Sequence, residues 1–419
     1  MKKTFFLLAG LLIASVSYAC TAVVVAGKYT ASGRSMMIKV RDSDERDSDF
    51  HIFDGPQYRF VGNTAKARTE RSSIKGTVAG YNTCGLCMAS LTPGKGFAYD
   101  SLAKQRVSGG KLIFRALGSC RNLSEFEAMC TELFKKRIII AHIAAIDAEG
   151  GAAVYEFSGH RFRKFDANNR KDAPEGWRAM TNFSFTGDPT LGSGQVRYDN
   201  ACSIMKNMPR DASGKYCFTP AGFADAICRS CVQTDLKIKN ADDLLQMTAK
   251  RGRNGVWFPS AEFITRYRTA LTTTFEAAAP GEDPSRTIMY AQMGSPYTTP
   301  LVPVVLASGS IPQYLLRFED ADGGYAGKGA LVALSDRISE STIYDMPGDI
   351  RHDFFCPAKV VEMIALARKA EAGIMELFLP LAGKWRAGDI SDEEFFSAYS
   401  GQQPVYFEIY RNTFGISDN

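Results

Sequence analysis

The sequence predicts a layered α+β domain, on three observations. Strand-like segments open the chain and return over residues 268–293. Helix-like segments lie between them. No linker, repeat or low-complexity tract divides the 419 residues. Apolar residues make up 45 % and charged residues 23 %, the balance of a globular protein with a sizeable core. The net charge is +5, with no Lys/Arg block and no interleaved aromatic stripe, which argues against nucleic acid as a partner.

The chain begins with Lys2 and Lys3, an apolar run over residues 5–16, and the small residues Ser17 and Ala19 at positions −3 and −1. These are the parts of a secretion signal. The apolar run is short of the ~20 residues that span a bilayer, and no later run reaches that length. Residues 1–19 are therefore expected to be a signal peptide. Cleavage leaves Cys20 as the first residue of a periplasmic or secreted chain, with residues 20–419 as one domain.

Residues 21–26 are β-branched and apolar and read as a buried strand. Turn residues over 27–33 lead to a hairpin partner at 35–40. Residues 77–91 form a second strand pair around Tyr81-Asn82-Thr83-Cys84-Gly85, where Asn and Gly make the turn. Helical patterns follow over 111–116 and from Asn122 or Ser124 as cap to about Lys136. A meander occupies 137–147, 152–157 and 161–165, with Thr181-Asn182-Phe183 in the segment after it. Residues 198–250 are helical, broken near Pro209 and Pro220. Strands resume at 268–275 and 286–293, and 358–379 is an amphipathic helix.

Ten cysteines include the pairs Cys84/Cys87 and Cys228/Cys231. Some ~140 residues separate the pairs, too far for a compact zinc module, so structural thiols or local disulfides are expected. None of the four histidines (His51, His142, His160, His352) has ligand spacing, so no metal is expected.

An N-terminal cysteine carries nucleophile and base in one residue. A free α-amine and a thiol have ordinary pKa values of about 8 and about 8.5, so a proton passes between them near neutrality without large shifts. Arg41 and Asp44, in Val-Arg-Asp-Ser-Asp at the end of the second strand, come back beside Cys20 through the hairpin. The arginine would favour thiolate and the aspartate would orient the amine. A second reading makes Cys20 the lipidated first residue of a surface lipoprotein with a binding role. Bulky Tyr18 and the lack of a polar tether before the first strand stand against it.

Cys20-Thr21, a hairpin, Arg41-x-x-Asp44, Gly80-Tyr-Asn82-x-x-Gly85-Leu86 and Thr181-Asn182 occur in that order. With Asp147-Ala-Glu-Gly150 and Gly281-Glu-Asp-Pro284 they resemble the N-terminal-nucleophile hydrolases that act on linear amides. That group includes choloylglycine hydrolases, penicillin V acylases, isopenicillin-N acyltransferases and related dipeptidases. The resemblance implies a four-layer αββα sandwich, no cofactor, and a small amide substrate cleaved through a thioester at Cys20. Acyl transfer and dipeptidase activity are variants of the same chemistry. It further implies Arg41 beside the sulfur, Asp44 on the amine, and Asn82 (through its side chain or backbone) and Asn182 as oxyanion donors. A later arginine completes the set, Arg197 first and Arg286 second. Glu45, where the bile-salt branch has an aromatic residue, and Tyr81-Asn82-Thr83, where Met-Asn-Glu is usual, depart from the pattern. Those departures weaken bile salts and penicillin V as substrates. Self-association into a homo-oligomer is left open.

Overall fold

Strand β1 (Cys20–Val25) pairs antiparallel with β2 (Met36–Asp42), Cys20 standing opposite Arg41 and Val25 opposite Met36. Both strands are buried along their whole length, as their apolar content requires of a strand covered on both faces. The computed structural model describes residues 20–43, 46, 48–64, 76–93, 106–188, 192–316 and 330–416. The proposed signal peptide, Asp44 and Glu45 lie outside the described residues.

Strands β3 (Asp49–Asp54), β4 (Arg59–Thr64), β5 (Ala79–Asn82) and β6 (Cys87–Leu91) continue the chain. They are followed by β7 (Arg106–Ser108), helices α1 (Gly109–Ser119) and α2 (Leu123–Phe134), and the meander β8 (Ile138–Ile146), β9 (Ala152–Gly159) and β10 (Arg161–Asp166). These strands form an eight-stranded sheet in the order β10-β9-β8-β6-β5-β4-β3, with β7 parallel to β8. Asn122, one of the two cap candidates, accepts from Glu125 N at the start of α2.

The chain then supplies β11 (Trp177–Met180), α3 (Gln195–Lys206), α4 (Pro220–Cys228) and α5 (Ala241–Arg251). After these come β12 (Phe258–Pro259), β13 (Thr269–Glu276), β14 (Ile288–Met293), β15 (Val302–Val304) and α6 (Ala330–Ile338). Last are β16 (Phe354–Phe355), α7 (Pro357–Ala387) and α8 (Asp392–Thr413). The second sheet runs β11-β1-β2-β13-β14-β15, while β12 and β16 form a small separate ribbon.

The two sheets face each other. Tyr81 of β5 meets Phe275 of β13 edge to face at 6.4 Å, and the inner faces share one apolar core. Helices α1 and α2 cover the outside of the eight-stranded sheet through Leu112, Ile113, Leu117 and Phe126. Helices α3, α4, α7 and α8 cover the other sheet. The layers run α–β–β–α, the architecture expected above.

Several elements differ from the sequence reading. The β3–β4 hairpin was not among its strands, although Asp49-Phe-His-Ile-Phe-Asp54 alternates. Helix α7 passes through Pro380 and ends at Gly388, whose left-handed φ of 79° stops it. Helix α8 follows, opened by a capping box in which Ser391 and Glu394 satisfy each other's backbone N–H. No helix among the described residues is long and apolar enough to cross a membrane.

Candidate active site

Alternation along β2 fixes the site. Arg41 and Lys39 point to the same face as Met37, which pairs with Phe275, so both project between the sheets. Cys20 pairs with Arg41 and shares that face. It is only 6 % exposed.

The main-chain nitrogen of Cys20 donates to Asn182 Oδ1 at 2.7 Å. Arg197, on the first turn of α3, donates from Nη1 to Cys20 O at 2.9 Å and from Nη2 to Asn182 Oδ1 at 3.2 Å. One amide oxygen thus receives both the Cys20 nitrogen and the guanidinium. Asn182 Nδ2 donates to Thr92 O at 2.6 Å, which fixes which way the amide faces. Thr181 is held by its hydroxyl on Gly194 O and by His142 Nδ1 against its carbonyl.

Further charges converge on Cys20. Asp42 accepts from Arg266 Nε at 2.8 Å and Thr269 Oγ1 at 2.7 Å. Glu262 Oε2 lies 3.7 Å from Arg197 Nε, and neither atom has a hydrogen-bond partner. Burial, with the neighbouring Arg266 adding to it, lowers the Arg197 pKa, while Asp42, Glu262 and Cys20 oppose the shift. Lys39 is fully buried and its ammonium has no hydrogen-bond partner.

The residues singled out from the sequence meet different outcomes. Cys20, Arg41, Asn182 and Arg197 come together. The Arg41 guanidinium nevertheless reaches the following loop, donating to Ser48 Oγ at 2.6 Å and Ser43 Oγ at 3.0 Å. Asn182 presents its oxygen to the Cys20 main-chain nitrogen, the atom that Asp44 was expected to hold.

Asn82 is a correction. Its Nδ2 donates to Leu117 O and Cys120 O on α1, and its Oδ1 accepts from Cys84 N and Leu86 N. Its own N–H goes to Leu86 O. It faces the opposite side of the sheet from Tyr81 and ties a turn to a helix end, leaving no donor for an oxyanion.

Arg286 is a second correction, since its guanidinium lies over Trp385 and donates to Trp385 O, away from Cys20. Asp147 accepts from Leu123, Glu149 and Gly151 N, and Asp283 caps a short helix, so both motifs are turns. All ten cysteines are unpaired, so the local disulfides expected as one option are not formed. Among the described residues no group of three or more His, Cys, Asp or Glu is placed to hold a metal.

The sequence reading missed Lys39, Asp42, Glu262 and Arg266. Lys39 had a signal: in Ile38-Lys-Val-Arg41 two cations alternate with two aliphatics inside a strand, an arrangement that places charge on a face within the fold. Asp42 and Arg266 meet only through the β2–β13 pairing, which no local pattern shows. Two cavities of about 510 and 460 Å³ lie elsewhere, one walled by Phe53, Phe60 and Phe114 and the other by Asp147, Glu149 and Pro280.

No protein-family model matches the sequence, and no curated protein matches it. Solved structures do. Penicillin V acylase from Agrobacterium tumefaciens is 15 % identical over 68 % of this chain and 86 % of its own, with a TM-score of 0.37. An arginine-to-leucine variant of conjugated bile acid hydrolase from Clostridium perfringens is 13 % identical over 68 % and 92 %, at 0.36. The Caenorhabditis elegans ortholog of N-acylethanolamine-hydrolyzing acid amidase is 14 % identical over 62 % and 93 %, at 0.34.

Proposed function

We propose that the chain is an exported amidohydrolase whose nucleophile is Cys20, exposed as residue one when residues 1–19 are removed. The observation that carries this reading is the Cys20 nitrogen, 2.7 Å from Asn182 Oδ1, with Arg197 bridging the same two residues. A side-chain amide fixed at both ends and aimed at a strand-end nitrogen serves a purpose if that nitrogen is a free amine whose lone pair must be oriented.

The α-amine takes the thiol proton, and sulfur attacks the carbonyl carbon of a small linear amide. The second N–H of Asn182 Nδ2, the one not given to Thr92, serves the oxyanion. On collapse the C–N bond breaks and the leaving nitrogen takes the proton back from the α-ammonium, giving an acyl thioester at Cys20. Water, deprotonated by the same amine, then releases the acid. An acceptor amine in place of water would make the reaction an acyl transfer.

The lipoprotein alternative is disfavoured by the start of β1 itself, because residues 20–25 are all buried and leave no tether. Intact-mass measurement of the exported protein and turnover of a panel of N-acyl amino acids, dipeptides and bile conjugates test the proposal. A chain starting at Cys20, with activity lost in Cys20→Ala and the melting temperature unchanged, is the expected result. Retention of residues 1–19, a diacylglycerol adduct, or full activity in folded Cys20→Ala overturns it.

A further inference from the structure

Lys39 is the most unusual charge in the molecule. It sits mid-strand with 0 % exposure, and its ammonium has no hydrogen-bond partner. Its cross-strand neighbour on β13 is Thr273, whose hydroxyl is likewise buried and unpartnered. On the other side it pairs with Ala22, too small to fill the space in front of it. Cys20 is the next residue along that face of β1, diagonal to Lys39. Diagonal cross-strand positions stand ~7–8 Å apart at the backbone, a span that a four-carbon side chain crosses.

An isolated buried ammonium is costly, and proteins rarely keep one without an anion. The groups facing it are few. Cys20, Arg41 and Asp42 are on its own sheet. Asp42 is turned to Arg266 and Thr269, and Arg41 to Ser43 and Ser48. From the opposite sheet the inner-face titratable groups are Tyr81, Cys87, His142 and Glu156. Tyr81 and Cys87 are held neutral by burial, and Glu156 is bound to Phe185 N and Thr186 N. His142 is engaged with Thr181 and Ser184. Among the described residues, the Cys20 sulfur is the one reacting atom left for Lys39.

We propose that Lys39 is a catalytic cation of this site, forming an ion pair with the Cys20 thiolate that the α-amine generates. This rests on Cys20 being the nucleophile. The proton moves from sulfur to the α-amine, and Lys39 keeps its own; it supplies charge beside the new anion, the part the sequence assigned to Arg41. Burial works to lower the Lys39 pKa, and Cys20 is the first group to oppose it. The pairing is mutual: thiolate holds the ammonium charged, and the ammonium holds the thiolate.

The test is alkylation, which needs no substrate. Protein produced with its own leader is treated with iodoacetamide from pH 5 to 9, and modification of Cys20 is followed by mass spectrometry. Lys39→Met, isosteric and uncharged, should slow alkylation at pH 7 by about tenfold and move the whole profile to higher pH, as removal of a cation beside the sulfur requires. Lys39→Arg should restore a good part of the rate. Folding of each variant is checked by thermal melting. If Lys39→Met does not fold, Lys39→Gln takes its place. A folded, uncharged variant with the wild-type profile overturns the proposal. Failure of the nucleophile assignment would show separately, as turnover that survives Cys20→Ala.

Discussion

Arg197 does what no point charge can do at its position, because its planar fork reaches Cys20 O and Asn182 Oδ1 together. Gly194 permits that approach. Its backbone is left-handed at φ 88°, and a methyl group there would run into Arg197 Nη2. Gly194→Ala should therefore cost about 1–3 kcal/mol and lower kcat/KM as the guanidinium is displaced. Denaturant unfolding and kinetics check both halves, and a variant equal to wild type in each shows the fork position to be dispensable. Glu262 carries a related strain. It is a non-glycine residue at φ 64°, with Oε2 unpartnered beside Arg197 Nε. Glu262→Gly removes the strain together with the charge. Stability should hold or rise by up to about 1 kcal/mol while kcat/KM falls. A variant that loses stability and keeps activity would show Glu262 to be a packing residue. Neither role could be read from the chain, since both arise from contacts across more than sixty positions or from a backbone angle.

At the scale of elements, the segment after β11 is what brings Asn182 to Cys20, and the meander strands hold it. His142 on β8 and Glu156 on β9 are cross-strand partners. His142 engages Thr181 O and Ser184 Oγ, while Glu156 accepts from Phe185 N, Thr186 N and Thr186 Oγ1. Burial lowers the His142 pKa below its ordinary 6.5, with the Glu156 charge and the Thr181 carbonyl opposing the shift. The sign follows from linkage. The unfolded chain takes up a proton near pH 6.5, the folded chain only at lower pH, so stability falls as pH drops below about 6.5 and is unaffected by this group above it. His142→Gln should flatten that part of the curve. Melting temperatures of wild type and variant between pH 7.5 and 5 check it, and a difference that does not narrow as pH falls sinks the assignment. The strands themselves were legible: Ala148-Glu-Gly-Gly151 and Ser158-Gly-His160 punctuate the meander, and Gly27 to Gly33 the first hairpin. What they hold was not. A strand's period tells which residues share a face, and the surrounding partners decide what that face does, as Asn82 shows by spending its hydrogen bonds on the end of α1 and on its own turn.

Across the whole molecule, the helices behind the six-stranded sheet must be tied to it if β1 and β2 are to keep their register. Part of that tie is ionic. Arg229, at the end of α4, donates to Glu371 on α7 at 2.8 Å, to Asp225, and to the carbonyls of Pro296 and Thr299. Glu371 also accepts from Leu301 N. Burial opposes the Arg229 charge, yet Glu371 and its neighbours raise its pKa on balance. The sequence showed α7 as an amphipathic helix but stopped it before Pro380, and α8 carried no signal strong enough to separate it from the tail. Tertiary packing of Trp385 on Phe395, stacked at 4.1 Å, overrides the proline. The ion pair makes the last prediction. Glu371→Leu leaves a fully buried guanidinium with two carbonyls and only the longer contact to Asp225, at 3.3 Å, as its remaining anion, and should destabilise by up to about 3–5 kcal/mol. Replacing both partners, Arg229→Met with Glu371→Leu, removes the stranded charge and should recover most of that loss, because two apolar groups of similar volume need no counter-ion. Urea unfolding of the single and double variants measures the difference. If the double variant is as unstable as the single one, the carbonyls of Pro296 and Thr299 depend on the guanidinium for their own satisfaction, and Arg229 is a hydrogen-bond hub first and a charge second.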